Sequence, residues 1–207
     1  MADARRRVVL ATRNRDKLRE IARLLDPKQF ELLTLDDFDD FPEVEEDGTT
    51  LEENALKKAR EVAAATGLLT VADDTGLEVD ALGGRPGVYS SRYAGEEATY
   101  AENVQKLLRE LRGVPQEKRT ARFRCVAAIV DGSRQVTVEG VCEGLILEEP
   151  RGEGGFGYDP VFYVPELGKT FAEMDTEEKN AVSHRGKAFR KAAEILRTLD
   201  GGEAGKD

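Results

Sequence analysis

The sequence predicts an α/β fold built around a mixed β-sheet. Apolar runs typical of buried strands alternate with amphipathic segments in the first half of the chain, two long β-rich runs follow, and an amphipathic helix comes last. No internal repeat or linker interrupts these segments. We therefore expect residues 1–200 to form one domain, followed by a disordered polar tail at 201–207.

The first strand and the first helix are joined by a short polar turn. Residues 7–12 form a strand of the buried type, and residues 17–25 carry apolar side chains at helical spacing. A strand that runs through a turn into a helix brings backbone N–H groups to the helix N-terminus, where they bind anions. Residues 31–35 predict a second strand, and residues 36–47 form an acidic loop with eight carboxylates.

A capping-box pattern marks the start of the second helix. Thr50 is the expected N-cap, Glu53 follows three residues later, and the helix runs to about Ala65 before Gly67. A third strand is predicted at 68–72.

The segment after this third strand is rich in turn residues. Residues 73–76 (DDTG) are typical of a turn, residues 77–80 alternate like a short strand, and residues 83–95 form a Gly/Pro-rich loop. A helix is predicted at 99–111.

The second half of the chain begins with a hairpin. The β-rich runs 122–130 and 135–147 flank an Asp-Gly-Ser-Arg turn. A Gly-rich loop at 150–160 leads to a short strand at 161–164, and the last helix spans 184–199.

Composition excludes several classes of protein. No apolar run approaches the roughly 20 residues that cross a bilayer, and the run at 8–11 is shorter than the roughly 7–15 residues of a secretion signal. With 31 basic and 41 acidic residues the net charge is -10, which argues against nucleic-acid binding but not against a small anion. A cytoplasmic location is expected.

The potential metal ligands are of the hard type. One histidine and two cysteines, Cys125 and Cys142, without a C-x-x-C pair, are too few for a zinc site, and both cysteines are expected in the core of a protein from a reducing compartment. Carboxylates without such partners favour Mg²⁺, which shares its ligand shell with substrate phosphates.

Polar clusters lie where strands or helices are predicted to end, which is where α/β folds place ligands. Each cluster alone also fits an ordinary turn or loop. The Gly-rich loop around Phe156 fits either a surface turn or a base pocket, and the lone His184 either a structural group or an anion contact. P-loop and nucleophile-elbow motifs are missing from the sequence.

Taken together, the motifs resemble the inosine/xanthosine triphosphate pyrophosphatases, the Ham1-like house-cleaning enzymes. The matching segments occur in the family's order and span almost the whole chain. They are ATRN at 11–14 with Lys17 and Glu20, ENA at 53–55 with Lys58, ADDTGLEVDAL at 72–82, PGVYSSRYAG at 86–95, GGFGYDP at 154–160, TFAEM at 170–174, EKN at 178–180 and SHR at 183–185.

This resemblance implies an elongated mixed sheet flanked by helices, two lobes with a nucleotide cleft between them, and a homodimer. It implies Mg²⁺-dependent hydrolysis of ITP, dITP and XTP to the monophosphate and pyrophosphate. Asp74 would be the proton acceptor and a metal ligand, Glu45 or Glu46 the second metal carboxylate, and Lys58 would lie beside the phosphates.

The resemblance also assigns the remaining substrate contacts. The phosphate-binding turn would consist of Thr12, Arg13, Asn14, Arg15, Asp16 and Lys17. The rest of the nucleotide pocket would consist of Thr75, Phe156, Gly157, Tyr158, Asp159, Lys179, His184 and Arg185.

Two positions depart from the family pattern. Thr75 replaces a serine and keeps the hydroxyl. Asp16 replaces a glycine, and it either weakens phosphate binding or points away and favours the N-terminus of the helix.

The hypothesis is that Asp74 activates water for attack on the α-phosphorus, while Lys17, Lys58 and Lys179 offset phosphate charge. His184, Arg185 or backbone N–H groups would face the purine 6-carbonyl. The alternatives are a nucleotide sensor without turnover, a related pyrophosphatase for modified pyrimidine or methylated nucleotides, and an α/β domain without cleft chemistry.

Overall fold

A mixed β-sheet forms the centre of the fold. The computed structural model describes residues 5–38, 41 and 44–199, and within them the sheet has eight strands. They are β1 (Arg6–Leu10), β2 (Phe30–Thr34), β3 (Thr70–Val79), β4 (Pro86–Gly87), β5 (Thr120–Asp131), β6 (Arg134–Ile146), β7 (Phe162–Val164) and β8 (Lys169–Thr170). The order is β2-β1-β3-β5-β6-β7-β8, with β4 paired to β3. Strand β1 is parallel to β2 and β3, and the other pairs are antiparallel, which confirms the mixed sheet.

Helices pack on both faces of this sheet. They are α1 (Arg15–Ala22), α2 (Leu51–Thr66), α3 (Tyr100–Glu110), α4 (Thr176–Val182) and α5 (His184–Leu199). The predicted capping box at Thr50 is present, and α2 ends at Gly67, whose φ of 66° is left-handed. Helix α4 was not predicted, although its N-cap Asp175 and Glu178 form the same kind of box.

Three hydrophobic clusters divide the core. Helices α1 and α5 cover one face of the β1–β3 half of the sheet, and α2 covers the other. A third cluster joins α3 to the far ends of β3, β5 and β6 and to β7. Cys125 and Cys142 are free and buried, as expected. In the described part of the chain, no helix is long and apolar enough to cross a membrane.

One sequence prediction about this sheet was wrong. Residues 73–76 are not a turn between two short strands but the middle of β3, because β5 pairs with β3 without interruption from Thr70 to Val79. Adjacent strand residues point to opposite faces of a sheet. Asp73 therefore faces α5, and Asp74 faces α2.

Residues 39–40, 42–43 and the predicted tail lie outside the described residues.

Candidate active site

A cavity of about 1040 Å³ opens where the end of β1, the start of α1, the middle of β3 and the first residues of α5 meet. Its lining includes every site residue predicted from the sequence except Arg15 and Asp16. These lining residues are Thr12, Arg13, Asn14, Lys17, Glu45, Glu46, Lys58, Asp74, Thr75, Phe156, Gly157, Tyr158, Asp159, Lys179, His184 and Arg185.

The turn before α1 is fixed by its own side chains. Asn14 is the N-cap, and its Oδ1 accepts hydrogen bonds from the backbone N–H groups of Asp16 and Lys17 at 3.0 and 3.1 Å. The backbone N–H of Asn14 donates to the Thr12 hydroxyl. Neither Arg15 nor Asp16 lines the cavity: Arg15 is exposed, and the Asp16 carboxylate is paired with Arg19.

A lysine between two carboxylates lies on the α2 side of the cavity. Lys58 Nζ is 2.5 Å from Glu46 Oε1 and 3.5 Å from Asp74 Oδ1, while Asn54 Nδ2 donates to Asp74 Oδ2 at 3.2 Å. Burial raises the pKa of Asp74, and Glu46 adds to the rise, although Lys58 opposes it. Burial disfavours the charged form of Lys58, but Asp74 and Glu46 outweigh it, so the pKa of Lys58 is raised. A buried carboxyl with a raised pKa is suited to proton transfer.

Glu46 and Asp74 both contact Lys58, whereas Glu45 is exposed at the cavity rim. Among the described residues, no group of three or more acidic, histidine or cysteine side chains could hold a metal ion by itself. Mg²⁺ commonly takes only one or two protein carboxylates and completes its shell with water and substrate phosphates. The donor set at Glu46 and Asp74 fits that form of binding.

Asp73 connects α1 to the first residues of α5 at the cavity. Its Oδ2 lies 3.0 Å from Lys17 Nζ and 3.6 Å from Arg185 Nη2, and it accepts a hydrogen bond from the Thr75 hydroxyl at 3.1 Å. Burial would raise the pKa of Asp73, but Lys17 and Arg185 outweigh it and hold that pKa far below its usual range. Sequence reasoning placed Asp73 in a polar cluster and gave it no role.

Glu20 is a second residue to which sequence reasoning gave no role, although it belongs to the first family motif. It projects from α1 and accepts hydrogen bonds from Lys179 Nζ and Arg185 Nη1, both at 2.6 Å. Lys179 Nζ also lies 2.6 Å from Asp159 Oδ2. All four side chains are buried. The available signal was its place in the family motif with ATRN at 11–14 and Lys17.

An aromatic ring lies over these buried cations. Lys179 Nζ is 4.6 Å and Arg185 Cζ 5.5 Å from the centroid of the Phe156 ring, within cation–π distance. Asp159 Oδ2 accepts the Phe156 backbone N–H at 2.8 Å, and Gly157 has a left-handed φ of 62° that suits glycine. Tyr158 is part of the core, and its hydroxyl donates to the Ser90 carbonyl. Its main contribution is therefore to anchor this loop.

His184 is the first residue of α5 and is stacked on aromatic rings. Its ring centroid lies 4.5 Å from that of Phe123, with 14° between the planes, and 6.0 Å from that of Phe171. Burial, reinforced by Arg185 and Lys179, lowers the pKa of His184 well below its usual 6.5. The imidazole is therefore neutral at neutral pH. No described residue is a hydrogen-bond partner of its buried Nδ1.

Comparison with known proteins gives one consistent result. The family model described as "Ham1 family" matches residues 8–195. The dITP/XTP pyrophosphatase of Geobacter sulfurreducens is 61% identical over 184 residues, which is 88% of this chain and 92% of that protein. The dITP/XTP pyrophosphatase of Desulforamulus reducens is 57% identical over 194 residues, 93% of this chain and 96% of that protein. A solved HAM1 protein from Coxiella burnetii is 45% identical, with a TM-score of 0.85 over 93% of this chain and 99% of that chain.

Proposed function

The chain belongs to the Ham1 family, and on this basis we propose that it hydrolyses non-canonical purine nucleoside triphosphates to the monophosphate and pyrophosphate. The substrates are dITP, XTP and ITP, and the reaction removes them from the nucleotide pool. One observation carries the proposal beyond the names of the relatives. The cavity that contains the Glu46–Lys58–Asp74 group and the N-terminus of α1 also contains the Phe156 ring above Lys179 and Arg185.

The end of the cavity near α1 suits the phosphates. The helix N-terminus presents backbone N–H groups and a partial positive charge. Asn14 uses its side chain to cap two of these groups, so positive charge at this end of the cavity also comes from Arg13 and from Lys17, which is paired with Asp73.

Glu46 and Asp74 would hold Mg²⁺ together with the phosphates. Lys58 sets one positive charge against the two carboxylates, so the group keeps a formal negative charge until a cation joins it. Bound Mg²⁺ supplies Lewis-acid stabilisation of the charge that develops on the phosphate oxygens.

Asp74 is the proposed general base. It lines the cavity, where its carboxylate can accept a proton from water attacking the α-phosphorus. Asn54 and Lys58 fix the two carboxylate oxygens and so orient the base. Pyrophosphate is then the leaving group.

The opposite end of the cavity suits a purine with a 6-carbonyl. Phe156 offers a ring for stacking, and Arg185 and Lys179 offer N–H donors beside it. Hypoxanthine and xanthine accept a hydrogen bond at this position, whereas adenine would set its amino group against these donors.

The proposal includes a homodimer that acts in the cytoplasm. The free, buried cysteines support a reducing compartment, and the dimer rests on the family resemblance. Analytical ultracentrifugation of the full chain tests the dimer directly.

The test of function is product analysis with dITP, XTP, ITP, ATP and GTP, each with and without Mg²⁺, in which pyrophosphate and orthophosphate are measured separately. Pyrophosphate and a monophosphate from the first three substrates only, and only with Mg²⁺, are expected. Orthophosphate as the product, or binding without turnover, would refute the proposal.

Asp74→Asn tests the proposed base. Its rate should fall at least about 10²-fold, the lower range for loss of general base catalysis. Asp80→Asn is the matched control, because Asp80 follows the same strand and binds Thr120 and Arg122 outside the cavity. An unimpaired rate in Asp74→Asn would refute the assignment.

A further inference from the structure

Asp73 is a buried carboxylate beside the cavity that the proposed mechanism does not use. Its Oδ2 lies 3.0 Å from Lys17 Nζ on α1, accepts the hydrogen of the Thr75 hydroxyl at 3.1 Å and lies 3.6 Å from Arg185 Nη2 on α5. Lys17, Thr75 and Arg185 all line the cavity, whereas Asp73 does not. One carboxylate oxygen therefore holds three side chains that the substrate can reach.

Lys17 depends on this carboxylate more than the other two side chains do. Among the described residues, Asp73 is the one ion-pair partner of Lys17. A lysine side chain is long and flexible, and its freedom is lost when it is fixed against a ligand. The ion pair with Asp73 removes that freedom before a ligand arrives. An ammonium group has three N–H donors, so two of them are left for other partners.

Arg185 and Thr75 have support that does not depend on the charge of Asp73. Arg185 Nη1 lies 2.6 Å from Oε2 of Glu20, a second buried carboxylate. The Thr75 hydroxyl needs only an oxygen that accepts its hydrogen, and an amide oxygen serves this purpose as well as a carboxylate oxygen. Loss of the negative charge at position 73 should therefore affect Lys17 first.

We propose that Asp73 is a positioning residue that holds Lys17 Nζ at the phosphate end of the cavity, with two N–H donors left for the substrate phosphates. This inference rests on the proposed function, in which the phosphates lie at the N-terminus of α1. Lys17 is in the first turn of that helix, and Asp73 reaches it from the middle of β3. Asp73 acts on the substrate through Lys17 and does not touch it.

The test is a double-mutant cycle between the two residues. Asp73→Asn keeps the size of the side chain and an acceptor for Thr75 but removes the charge, and Lys17→Met removes the ammonium group. In the otherwise wild-type protein, Asp73→Asn should lower kcat/KM for dITP about tenfold, the order expected for a hydrogen bond to a charged group. In the Lys17→Met protein, the same replacement should lower it at most about threefold, because its main target is gone.

Two further readouts distinguish positioning from a purely structural role. The phosphate charge is present in both the ground state and the transition state, so most of the loss in Asp73→Asn should appear in KM. The factor should be the same for dITP and XTP, because the two substrates share the triphosphate. A purely structural role would lower the free energy of unfolding without making the effect on KM depend on Lys17.

Two matched controls accompany the cycle. Arg13 is another cation of the cavity lining, but it contacts the Phe41 carbonyl and Asp36 instead of Asp73. Asp73→Asn should therefore lower kcat/KM about tenfold in the Arg13→Met protein too. Asp131→Asn removes a strand aspartate that is paired with Arg6 outside the cavity, and it should keep the wild-type kcat/KM.

The inference is overturned if Asp73→Asn lowers kcat/KM by the same factor with and without Lys17, or if the loss is confined to one of the two substrates. Urea unfolding establishes whether each protein of the cycle is folded. Asp73→Ser, which also removes the charge and keeps an oxygen near Thr75, takes the place of Asp73→Asn if that variant does not fold.

Calorimetric binding of pyrophosphate separates this inference from the proposed function. A wild-type protein that forms no pyrophosphate from any of the triphosphates contradicts the proposed function. The same cycle is then measured as the dissociation constant for added pyrophosphate. Non-additive changes in that constant support the positioning of Lys17 by Asp73 in either case, and additive changes refute it.

Discussion

Replacing Glu20 by Gln tests how far the buried charges of the cavity depend on one another. Glu20 compensates two buried cations at once, Lys179 and Arg185, each at 2.6 Å. Breaking a buried ion pair from one side costs about 3–5 kcal/mol. Lys179 keeps Asp159 and Arg185 keeps Asp73 as partners, so we expect the lower end, about 3 kcal/mol of the free energy of unfolding.

This loss corresponds to a decrease in melting temperature of about 6–12 °C for a chain of this size. Urea unfolding with an unchanged m-value gives the free energy directly. Glu194→Gln is the control, since Glu194 is an exposed residue of α5 and its replacement should change stability by less than about 0.5 kcal/mol. A loss below about 1 kcal/mol in Glu20→Gln would show that Glu20 is not the main compensating charge, against the reasoning from the buried pairs.

Three further predictions concern the same region. The folded protein keeps His184 neutral while the unfolded chain binds a proton below pH 6.5, so the free energy of unfolding should fall with decreasing pH below 6.5, by up to about 1.4 kcal/mol per pH unit. His184→Phe should remove this slope between pH 6.5 and 5.5, and an identical slope in urea titrations of the two proteins would contradict the assignment. Arg185→Ala should lose most of the preference for ITP over ATP in kcat/KM; full retention would exclude Arg185 as the donor to the 6-carbonyl. A Cβ on Gly140 would collide with the His184 carbonyl and the Ala188 N–H, so Gly140→Ala should destabilise the protein by about 1–3 kcal/mol in thermal unfolding, and wild-type stability would disprove this close packing.

Local signals in the sequence were sufficient to predict most of the helices and strands. The capping box at Thr50 and the αL glycine Gly67 define α2, and the two-residue turn between Asp131 and Arg134 defines the long hairpin. These signals depend on neighbouring residues alone, so they can be read without the tertiary fold. Helix α4 carried such a signal too, but its seven residues are too few to show a periodic apolar pattern.

The β3 segment shows where local signals fail. Asp73, Asp74 and Gly76 favour a turn by their intrinsic preferences. The ladder with β5 overrides these preferences, because every strand residue from Thr70 to Val79 has a partner there. Because residues 70–79 form one continuous strand, the adjacent carboxylates of Asp73 and Asp74 lie on opposite faces of the sheet and have different partners.

By itself the sequence determined the fold class, the family resemblance and the residue types of the cleft, because motifs and periodicity are properties of the linear chain. Only the tertiary structure decided which charges are paired. Glu20 and Arg185 are separated by 165 positions yet share a hydrogen bond, and Tyr100 reaches Asn14 across 86. Such contacts depend on how α1, α3 and α5 pack against the sheet, and the burial that this packing produces shifts the pKa values of Asp74 and His184.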